Sequence, residues 1–496
     1  MAFVEIKNLS FTYPNCNEKA LNDINFTIND GELCLVIGES GSGKSTLLKL
    51  LKKEIAPCGN KTGSIKIDSK CIGFVNQSVE SNIVTDTVSG ELAFALENRG
   101  ESRDKIALKI AETASYFNLN GIYNDKTESL SGGTKQLTAL ASVVISSPEL
   151  LIFDEPASQL DPLSAESFIN TVLKLNREQG ITVLISAHNI ERLLPIADKI
   201  IYLEKGKAVV FENAKAFAEF LIKNNSAFKA VLPSYTQVIS SAPVDFISAK
   251  KRAFTLRFRD NTADRQSEPQ KALTAKSICF VYKRNQKNIL DFLDFCAYKS
   301  KINTIIGANG SGKTTLLKAM AGIIRPYSGK VKTNGKLCYM PQSVKAMFLK
   351  DTVAEELDGD KSLLKQFNLF HLENRNPFDL SGGEEQRLAL AKIVKAGADI
   401  ILLDEPTKGV DACFKETLAD MLRQLCMQGK TVVLVTHDLE FAGRYSDYVS
   451  FLFDGNIAAF GERRSFFGSL DMYTTALSRL TGGKAVSIDD VKICDE

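Results

Sequence analysis

The chain has 496 residues, too many for one hydrophobic core, and this length predicts two domains of ordinary size. Hydrophobic residues make up 44% and charged residues 24%, as in a globular protein, and a formal net charge of +2 argues against nucleic acid as the main partner. No apolar run reaches the roughly 20 residues needed to span a bilayer, so we expect a peripheral membrane role at most. The ten cysteines form no C-x-x-C pair, so we expect reduced thiols.

Each half of the chain begins with a β-forming run that ends in an aromatic residue. Tyr13 ends the first run, and Tyr282 ends its counterpart in the second half. An aromatic face at this place could stack on adenine, and packing in the core is the alternative. The pair therefore suggests one aromatic contact to a nucleotide base in each half.

A phosphate-binding pattern, G-x-x-x-x-G-K-[S/T], follows in each half, at 38–45 and 307–314. Its glycines let backbone N–H groups close around phosphate, its lysine adds positive charge, and its final hydroxyl can ligate Mg²⁺. Each copy lies between a β-forming run and a helix-forming run, as the pattern requires, so we predict two nucleotide sites. The predicted contacts are Gly38, Glu39, Ser40, Gly41, Ser42, Gly43, Lys44, Ser45 and Thr46, and Gly307, Ala308, Asn309, Gly310, Ser311, Gly312, Lys313, Thr314 and Thr315.

A glutamine and then a Leu-Ser-Gly-Gly turn come next in both halves. The glutamines, Gln77 and Gln342, lie near β-forming runs and mean little alone. A Ser-Gly-Gly turn that opens a helix presents free N–H groups and a hydroxyl, so it can bind an anion, and a simple N-cap is the alternative. The turns consist of Ser131, Gly132 and Gly133, and of Ser381, Gly382 and Gly383.

Four apolar β-formers ending in two acidic residues follow each turn. A buried parallel strand that ends beside the phosphate loop can hold Mg²⁺ through Asp154 or Asp404. The next residue, Glu155 or Glu405, can act as general base on the attacking water. The predicted metal ligands are Ser45, Asp154, Thr314 and Asp404.

A further β-forming run ends in a histidine in each half. His188 and His437 are two of only three histidines in the chain, and they occupy equivalent strand ends. A lone histidine is usually structural, but this repetition favours a catalytic role. We therefore add both to the candidate catalytic residues.

The repeat divides the chain into 1–220, a less patterned segment at 221–271, a second copy at 272–467 and a C-terminal extension at 468–496. Proline and serine punctuate 221–271, which predicts a linker or a small appended element. Its basic residues Lys250, Lys251 and Arg252 could touch lipid headgroups, and a solvated basic face is the alternative. We assign this segment no function.

The two copies differ most between the glutamine and the Ser-Gly-Gly turn. The second half is about fifteen residues shorter there, between Gln342 and Ser381, than the first half between Gln77 and Ser131. The missing residues belong to predicted helical material. We therefore expect the two halves to present differently shaped surfaces in this region.

Together these motifs resemble those of the ATP-binding cassette (ABC) ATPases. The resemblance implies an α/β fold with two tandem P-loop NTPase domains, each with a RecA-like core, an antiparallel β subdomain and a helical subdomain. It also implies ATP and Mg²⁺ as ligands and a head-to-tail intramolecular pseudo-dimer, in which the phosphate loop of each half faces the Ser-Gly-Gly signature of the other. The implied catalytic residues are Gln77, Glu155, His188, Gln342, Glu405 and His437.

A closer resemblance is to the fused ATPase subunits of energy-coupling factor (ECF) importers of vitamins and metal ions. It rests on 87–98, on 407–411 and on the tandem layout without membrane helices. The sequence departs from the family at Thr134 and Glu384, which replace the usual glutamine after Ser-Gly-Gly, and at Ser158-Gln159-Leu160-Asp161 after the first pair of acids. These departures could alter turnover, but we expect two competent sites.

The resemblance implies an energy-coupling ATPase on the cytoplasmic face of the cell membrane. Its partners would be a transmembrane coupling subunit and a substrate-binding membrane subunit. The alternative is a soluble tandem ABC ATPase acting on ribosomes or DNA, a class that usually has a charged helical linker and an Asn-His-Leu-Asp loop, which this chain lacks. A fused sugar-importer ATPase is disfavoured because both signatures are intact.

Overall fold

The computed structural model of the protein describes residues 3–14, 16, 18–77, 82–158, 160–224, 226–239, 242–259, 269–283 and 287–492. It divides into two compact units, Met1–Leu232 and Pro233–Glu496. Each unit contains one copy of the repeat. Gln159 and the parts of the predicted linker at 225, 240–241 and 260–268 lie outside the described residues.

Unit 1 consists of two sheets surrounded by helices. Its strands are β1 (Val4–Thr12), β2 (Leu21–Ile28), β3 (Leu33–Gly38), β4 (Asn60–Ile67), β5 (Ile72–Val75), β6 (Leu150–Asp154), β7 (Thr182–Ser186), β8 (Lys199–Glu204) and β9 (Lys207–Phe211). Its helices are α1 (Lys44–Leu50), α2 (Val88–Glu97), α3 (Arg103–Tyr116), α4 (Gly132–Val144), α5 (Pro162–Gln179) and α6 (Ala214–Lys223).

The larger sheet of unit 1 has the order β5-β6-β7-β3-β8-β9, in which only β9 runs antiparallel to its neighbour. Strands β3, β6 and β7 are buried along their whole length, as continuous apolar runs in a helix-covered parallel sheet should be. The smaller antiparallel sheet has the order β2-β1-β4. Since parallel strands end at one edge, β3, β6 and β7 bring the phosphate loop, the acids and the histidine together.

Unit 2 repeats this architecture and adds short elements at both ends. Its strands are β10 (Arg257–Phe258), β11 (Lys271–Phe280), β12 (Leu290–Tyr298), β13 (Ile302–Ile306), β14 (Ser328–Thr333), β15 (Leu337–Met340), β16 (Ile400–Asp404), β17 (Thr431–Val435), β18 (Tyr448–Phe453), β19 (Asn456–Glu462) and β20 (Val491–Lys492). Its helices are α7 (Ser234–Val238), α8 (Phe246–Arg252), α9 (Lys313–Met320), α10 (Val353–Glu356), α11 (Lys361–Gln366), α12 (Gly382–Lys395), α13 (Ala412–Met427), α14 (Leu439–Tyr445), α15 (Arg463–Gly468) and α16 (Ala476–Thr481).

The sheets of unit 2 have the same strand order as those of unit 1. The six-stranded sheet reads β15-β16-β17-β13-β18-β19, and the antiparallel sheet reads β12-β11-β14. This agreement confirms the predicted fold class of two tandem α/β P-loop domains.

The helical regions of the two units differ as the unequal spacing suggests. In unit 1, α2 has 10 residues and α3 has 14. In unit 2, their counterparts α10 and α11 have only 4 and 6 residues. The helix opened by the signature is nearly equal in the two units, with 13 residues in α4 and 14 in α12.

Part of the segment between the repeats folds together with the C-terminal extension. Strand β10 pairs with β20, placing Phe258 opposite Val491. Tyr235 and Ile239 from the first segment are buried in one cluster with Leu477 and Leu480 from α16. These elements form a small module within unit 2, which we call the appended module.

Asp490 links the appended module to α15. Its Oδ2 atom accepts hydrogen bonds from the N–H groups of Val486 and Ser487, at 2.8 and 3.0 Å. Its Oδ1 atom contacts the guanidinium of Arg464 and lies 3.6 Å from that of Arg463. The carboxylate is almost fully buried, so its loss leaves several buried donors without a partner.

We expect Asp490→Ala to lower the free energy of local opening of 476–492 by about 2 kcal/mol, because that is the typical cost of unpaired buried donors. Amide hydrogen exchange in this segment should accelerate by about 30-fold, since 1.4 kcal/mol corresponds to tenfold. The control is Asp489→Ala, which removes a half-exposed carboxylate whose pair with Arg444 is 3.6 Å long. Equal exchange in both variants would contradict the role of Asp490.

Candidate functional site

The lysine of each phosphate loop folds back over its own loop. The Nζ atom of Lys44 donates hydrogen bonds to the carbonyl oxygens of Gly38 and Glu39, at 2.8 and 3.0 Å. Lys313 makes the equivalent pair of bonds in unit 2, both at 2.9 Å. Both ammonium groups are therefore buried at the N-terminus of the following helix, where positive charge attracts phosphate.

Glycine is required where each loop enters its helix. Gly43 has φ +103°, and a Cβ atom there would lie 2.7 Å from the carbonyl oxygen of Ala20. Gly312 has φ +102°, and its Cβ atom would lie 2.9 Å from that of Ile289. Both the backbone conformation and the close approach therefore exclude a side chain.

Two buried hydroxyls in the loops indicate that they fit a phosphate group. The Oγ atoms of Ser42 and Ser311 are buried and have no hydrogen-bond partner among the residues that the structure describes. No acidic residue lies in the first turn of α1 or α9. Hydroxyl donors, a lysine and an unopposed helix N-terminus together suit a nucleotide phosphate chain.

A hydroxyl and a carboxylate meet beside each loop. The Oγ atom of Ser45 donates to Oδ1 of Asp154 at 3.0 Å, and Oγ1 of Thr314 donates to Oδ1 of Asp404 at 3.0 Å. Burial raises the pKa of both aspartates above the ordinary value for this side chain. These hard oxygen atoms fit Mg²⁺, which binds one or two carboxylates together with substrate phosphates.

A glutamate and a histidine form a pair at the end of each central sheet. Nε2 of His188 lies 2.7 Å from Oε1 of Glu155, and Nδ1 of His437 lies 2.8 Å from Oε2 of Glu405. In unit 1 the amide of Gln77 also donates to Oε2 of Glu155, at 3.0 Å. Each glutamate is thus held at the strand end where the sequence predicts the general base.

Both glutamates have a left-handed backbone, which is uncommon outside glycine. The φ angle is +50° at Glu155 and +52° at Glu405. Their N–H groups are fixed, in unit 1 by the hydroxyl oxygen of Ser186 at 3.0 Å and in unit 2 by the carbonyl oxygen of Val435 at 3.0 Å. Such strain persists where the surroundings hold it, and it often marks functional sites.

The remaining predicted contacts occupy the ends of strands and helices. The Tyr13 hydroxyl lies 2.9 Å from Oγ1 of Thr46, the Tyr282 hydroxyl lies 3.2 Å from Oγ1 of Thr315, and the rings are 37% and 56% exposed. Part of each tyrosine side chain is therefore accessible from outside.

The signature serines lie where the sequence predicts them, at the N-caps of α4 and α12. Gln342 is exposed, and the described residues include no counterpart in unit 2 of the bond between Gln77 and Glu155. The assigned roles of these residues stay predictions.

Two residues that the sequence did not single out touch the predicted metal ligands. The Ser186 hydroxyl donates to Oδ1 of Asp154 at 3.1 Å, and the Tyr339 hydroxyl donates to Oδ2 of Asp404 at 2.9 Å. Each lies inside an apolar β-forming run, where serine or tyrosine is read as an ordinary strand residue. Comparing the two copies position by position would have shown that neither hydroxyl is repeated.

Comparison with known proteins identifies the same repeat. The family described as "ABC transporter" matches 21–158 and 290–408. A relative from Bacillus anthracis, provisionally named an ABC transporter ATP-binding protein, is 36% identical over 97% of this chain and 95% of its own length. A relative from Bacillus subtilis (strain 168), provisionally named an HMP/thiamine import ATP-binding protein, is 28% identical over 93% of this chain and 92% of its own.

Solved structures agree in fold. An archaeal ribosome recycling factor, aABCE1, in complex with the ribosomal stalk protein aP1, aligns with TM-score 0.64 at 22% identity, covering 93% of this chain and 91% of that one. A chain described as RNase-L inhibitor aligns with TM-score 0.62 at 22% identity, covering 92% and 91%. At this identity the likeness concerns the fold alone.

None of the helices in the described part of the chain has both the length and the apolar character that a membrane-spanning helix needs.

Proposed function

This chain belongs to the ABC transporter family of ATP-binding proteins, and we propose that it is the ATP-hydrolysing, energy-coupling subunit of a membrane importer. The observation that carries the proposal is the presence of two complete sets of site residues in one chain. Each unit has a buried lysine in its phosphate loop, a hydroxyl–aspartate pair and a glutamate–histidine pair. Both sites are therefore equipped for hydrolysis.

The residues divide the reaction between them. Lys44 and Lys313 bind the β- and γ-phosphates of ATP, and the loop N–H groups neutralise the charge that spreads over the transferred phosphoryl group. Glu155 and Glu405 accept the proton of the attacking water, and the histidine beside each one holds the carboxylate in place. Bound Mg²⁺, held by the hydroxyl–aspartate pair, would supply further positive charge at the phosphates.

We propose that the two units act together on ATP. In the architecture that the sequence resembles, the signature turn of one half completes the site of the other, so each ATP would need both halves. Fusion in one chain keeps the second half at a high effective concentration. Binding of ATP would then close the pseudo-dimer, and hydrolysis would reopen it.

The finer proposal is uptake of a small vitamin or metal ion by an ECF-type importer. It is supported by 87–98 and 407–411, by the tandem layout and by the name of the Bacillus subtilis relative. The chain would bind peripherally, on the cytoplasmic face of the membrane, to a transmembrane coupling subunit and a substrate-binding membrane subunit. These partners would convert the cycle of closing and opening into transport.

The experiment that tests this function uses the full chain with an affinity tag, isolated together with detergent-solubilised membranes of its source. We expect polytopic membrane proteins to copurify with the chain in a fixed stoichiometry. After reconstitution in proteoliposomes, the complex should take up a substrate only when ATP is present in the compartment that the ATPase faces. Co-sedimentation with ribosomes, and ATPase activity stimulated by ribosomes rather than by the membrane partners, would overturn the importer in favour of the soluble alternative.

The unequal helical regions lead to a prediction about docking. Because α2 and α3 are longer than α10 and α11, we expect one asymmetric membrane subunit to place a different segment on each unit. The test uses two exposed positions, Phe94 on α2 and Lys361 at the start of α11. With cysteine at one of these positions, crosslinking and peptide mapping should identify a different partner segment for each unit.

The exposed native thiols have to be removed for this experiment. Cys16 and Cys58 are exposed, so the background replaces both by serine, together with Cys494. The control is a cysteine at Met427, which is 83% exposed and lies at the end of α13, outside the helical region. If the positions in α2 and α11 capture the same partner segment equally, asymmetric docking is wrong, and the shorter helices are only a tolerated deletion.

A further inference from the structure

The metal-facing aspartates of the two units are held in different ways. In unit 1, Oδ1 of Asp154 accepts two hydroxyl hydrogen bonds, from Ser45 at 3.0 Å and from Ser186 at 3.1 Å. No hydrogen bond to its Oδ2 atom occurs among the described residues. In unit 2, each oxygen of Asp404 accepts one bond, Oδ1 from Thr314 at 3.0 Å and Oδ2 from Tyr339 at 2.9 Å.

The additional donors come from opposite sides of the strand that carries the aspartate. Ser186 lies on β7, directly opposite Asp154 in the parallel register. Tyr339 lies on β15, the neighbour on the other side, opposite Leu402. At the equivalent positions the donors are missing: Val435 is opposite Asp404, and Phe74 is opposite Ile152.

We propose that Ser186 and Tyr339 are positioning residues that orient Asp154 and Asp404 toward Mg²⁺, each in its own unit and each through a different geometry. A carboxylate held through both oxygens has its plane fixed. A carboxylate held through one oxygen can still rotate about that contact, so its other oxygen is less well directed. The proposal rests on the ATPase chemistry of the family and not on the importer role, so the two can fail separately.

The environment of Tyr339 suits this role. The side chain is half-buried beside Asp404, and its hydroxyl donates to Oδ2 of that carboxylate at 2.9 Å. Hydrogen bonds from outside the coordination sphere orient metal-binding carboxylates, and their loss typically costs 10–100-fold in metal affinity. The Ser186 hydroxyl also accepts a hydrogen bond from the N–H group of Glu155. A substitution at Ser186 therefore affects two site residues, so Tyr339 is the better position for the first test.

The experiment measures Mn²⁺ binding by electron paramagnetic resonance in the presence of ADP, with Mn²⁺ as the probe for Mg²⁺. Lys44→Ala is expected to abolish ADP binding in unit 1, so the metal bound with ADP is then measured in unit 2. Lys313→Ala likewise leaves only unit 1. In the first background, Tyr339→Phe should weaken Mn²⁺ binding about tenfold. In the second background the same substitution should change it by less than twofold, because the hydroxyl of Tyr339 donates to Asp404, the aspartate of unit 2.

Three further variants separate orientation of the carboxylate from general damage. The control is Tyr327→Phe, which removes an exposed hydrogen bond of unit 2, from the Tyr327 hydroxyl to Asn288 at 2.9 Å. This variant should leave Mn²⁺ affinity unchanged. In unit 1, Ser186→Ala should weaken Mn²⁺ binding about tenfold. Adding Phe74→Tyr, which supplies the missing donor toward the other carboxylate oxygen, should restore at least half of that loss on a logarithmic scale.

The outcomes that overturn the proposal are specific. If Tyr339→Phe changes Mn²⁺ affinity less than twofold in unit 2, or changes both units equally, the hydroxyl does not position Asp404. If Phe74→Tyr gives no rescue of Ser186→Ala, the hydroxyl of Ser186 acts through Glu155 and not through Asp154. Because rescue by Phe74→Tyr would be a gain of affinity, misfolding cannot explain it.

Discussion

Glu155→Gln and Glu405→Gln should each lower the steady-state rate of ATP hydrolysis at least tenfold while leaving ATP binding intact. The amide keeps the size of the side chain but cannot accept the proton of the attacking water. A tenfold loss corresponds to about 1.4 kcal/mol of lost transition-state stabilisation. The carboxylates of Glu155 and Glu405 lie 2.7 and 2.8 Å from His188 and His437. These contacts hold the side chain in place, so the substitution removes the proton acceptor without moving it.

The measurement is phosphate release at saturating ATP and Mg²⁺, with nucleotide affinity determined in parallel. The matched control is Glu204→Gln, which makes the same change at the exposed end of β8 and should keep the wild-type rate. We expect each single site variant to lose most of the activity if, as we propose, the two halves act together on ATP. Wild-type turnover in both single variants would show that neither glutamate is the general base.

The fold and the positions of the candidate site residues were predictable because their signals are local and occur twice. The phosphate loops, the strands that end in Asp154 and Asp404, and the helices opened by the signature are each encoded within a few consecutive residues. Parallel strands then bring these ends to one edge of the sheet, which places Lys44, Asp154 and His188 together without further assumption. Repetition in the second half reduces the chance that any one motif is accidental.

The appended module was not predictable because its contacts join distant parts of the chain. Strands β10 and β20 contain two residues each, too few for a periodic signal, and more than two hundred residues separate them. Tyr235 and Leu477 pack in one cluster, but each alone resembles an ordinary apolar residue in a loop region. The pairing depends on tertiary structure, so the sequence indicated only an appended element of unknown fold.

The difference between the two sites was hidden for another reason. A hydroxyl in a buried strand is compatible with strand formation whether or not it bonds to a carboxylate, so Ser186 and Tyr339 carry no local signal. Their effect appears only when the register of neighbouring strands is known. The same applies to the bond between Gln77 and Glu155.

Lys44→Ala and Lys313→Ala should each reduce the number of nucleotides bound per chain from two to one. Each Nζ atom lies buried in its phosphate loop, 2.8 to 3.0 Å from two backbone carbonyl oxygens, where it can transfer its hydrogen bonds to the β- and γ-phosphates. A hydrogen bond between charged groups contributes about 1.5 to 3 kcal/mol. Affinity at the altered site should therefore fall by up to about 100-fold, below detection at moderate ADP concentration.

Isothermal titration with ADP and Mg²⁺ measures the stoichiometry and affinity of both sites in one experiment. The matched control is Lys53→Ala, which removes an exposed lysine shortly after α1 and should keep two sites. The two single variants should each keep one site of normal affinity, because each lysine bonds the backbone of its own loop. If either single variant still binds two nucleotides with wild-type affinity, its lysine does not hold phosphate and that loop is not a nucleotide site; if either binds none, the two loops are too tightly coupled to be treated as separate binding sites.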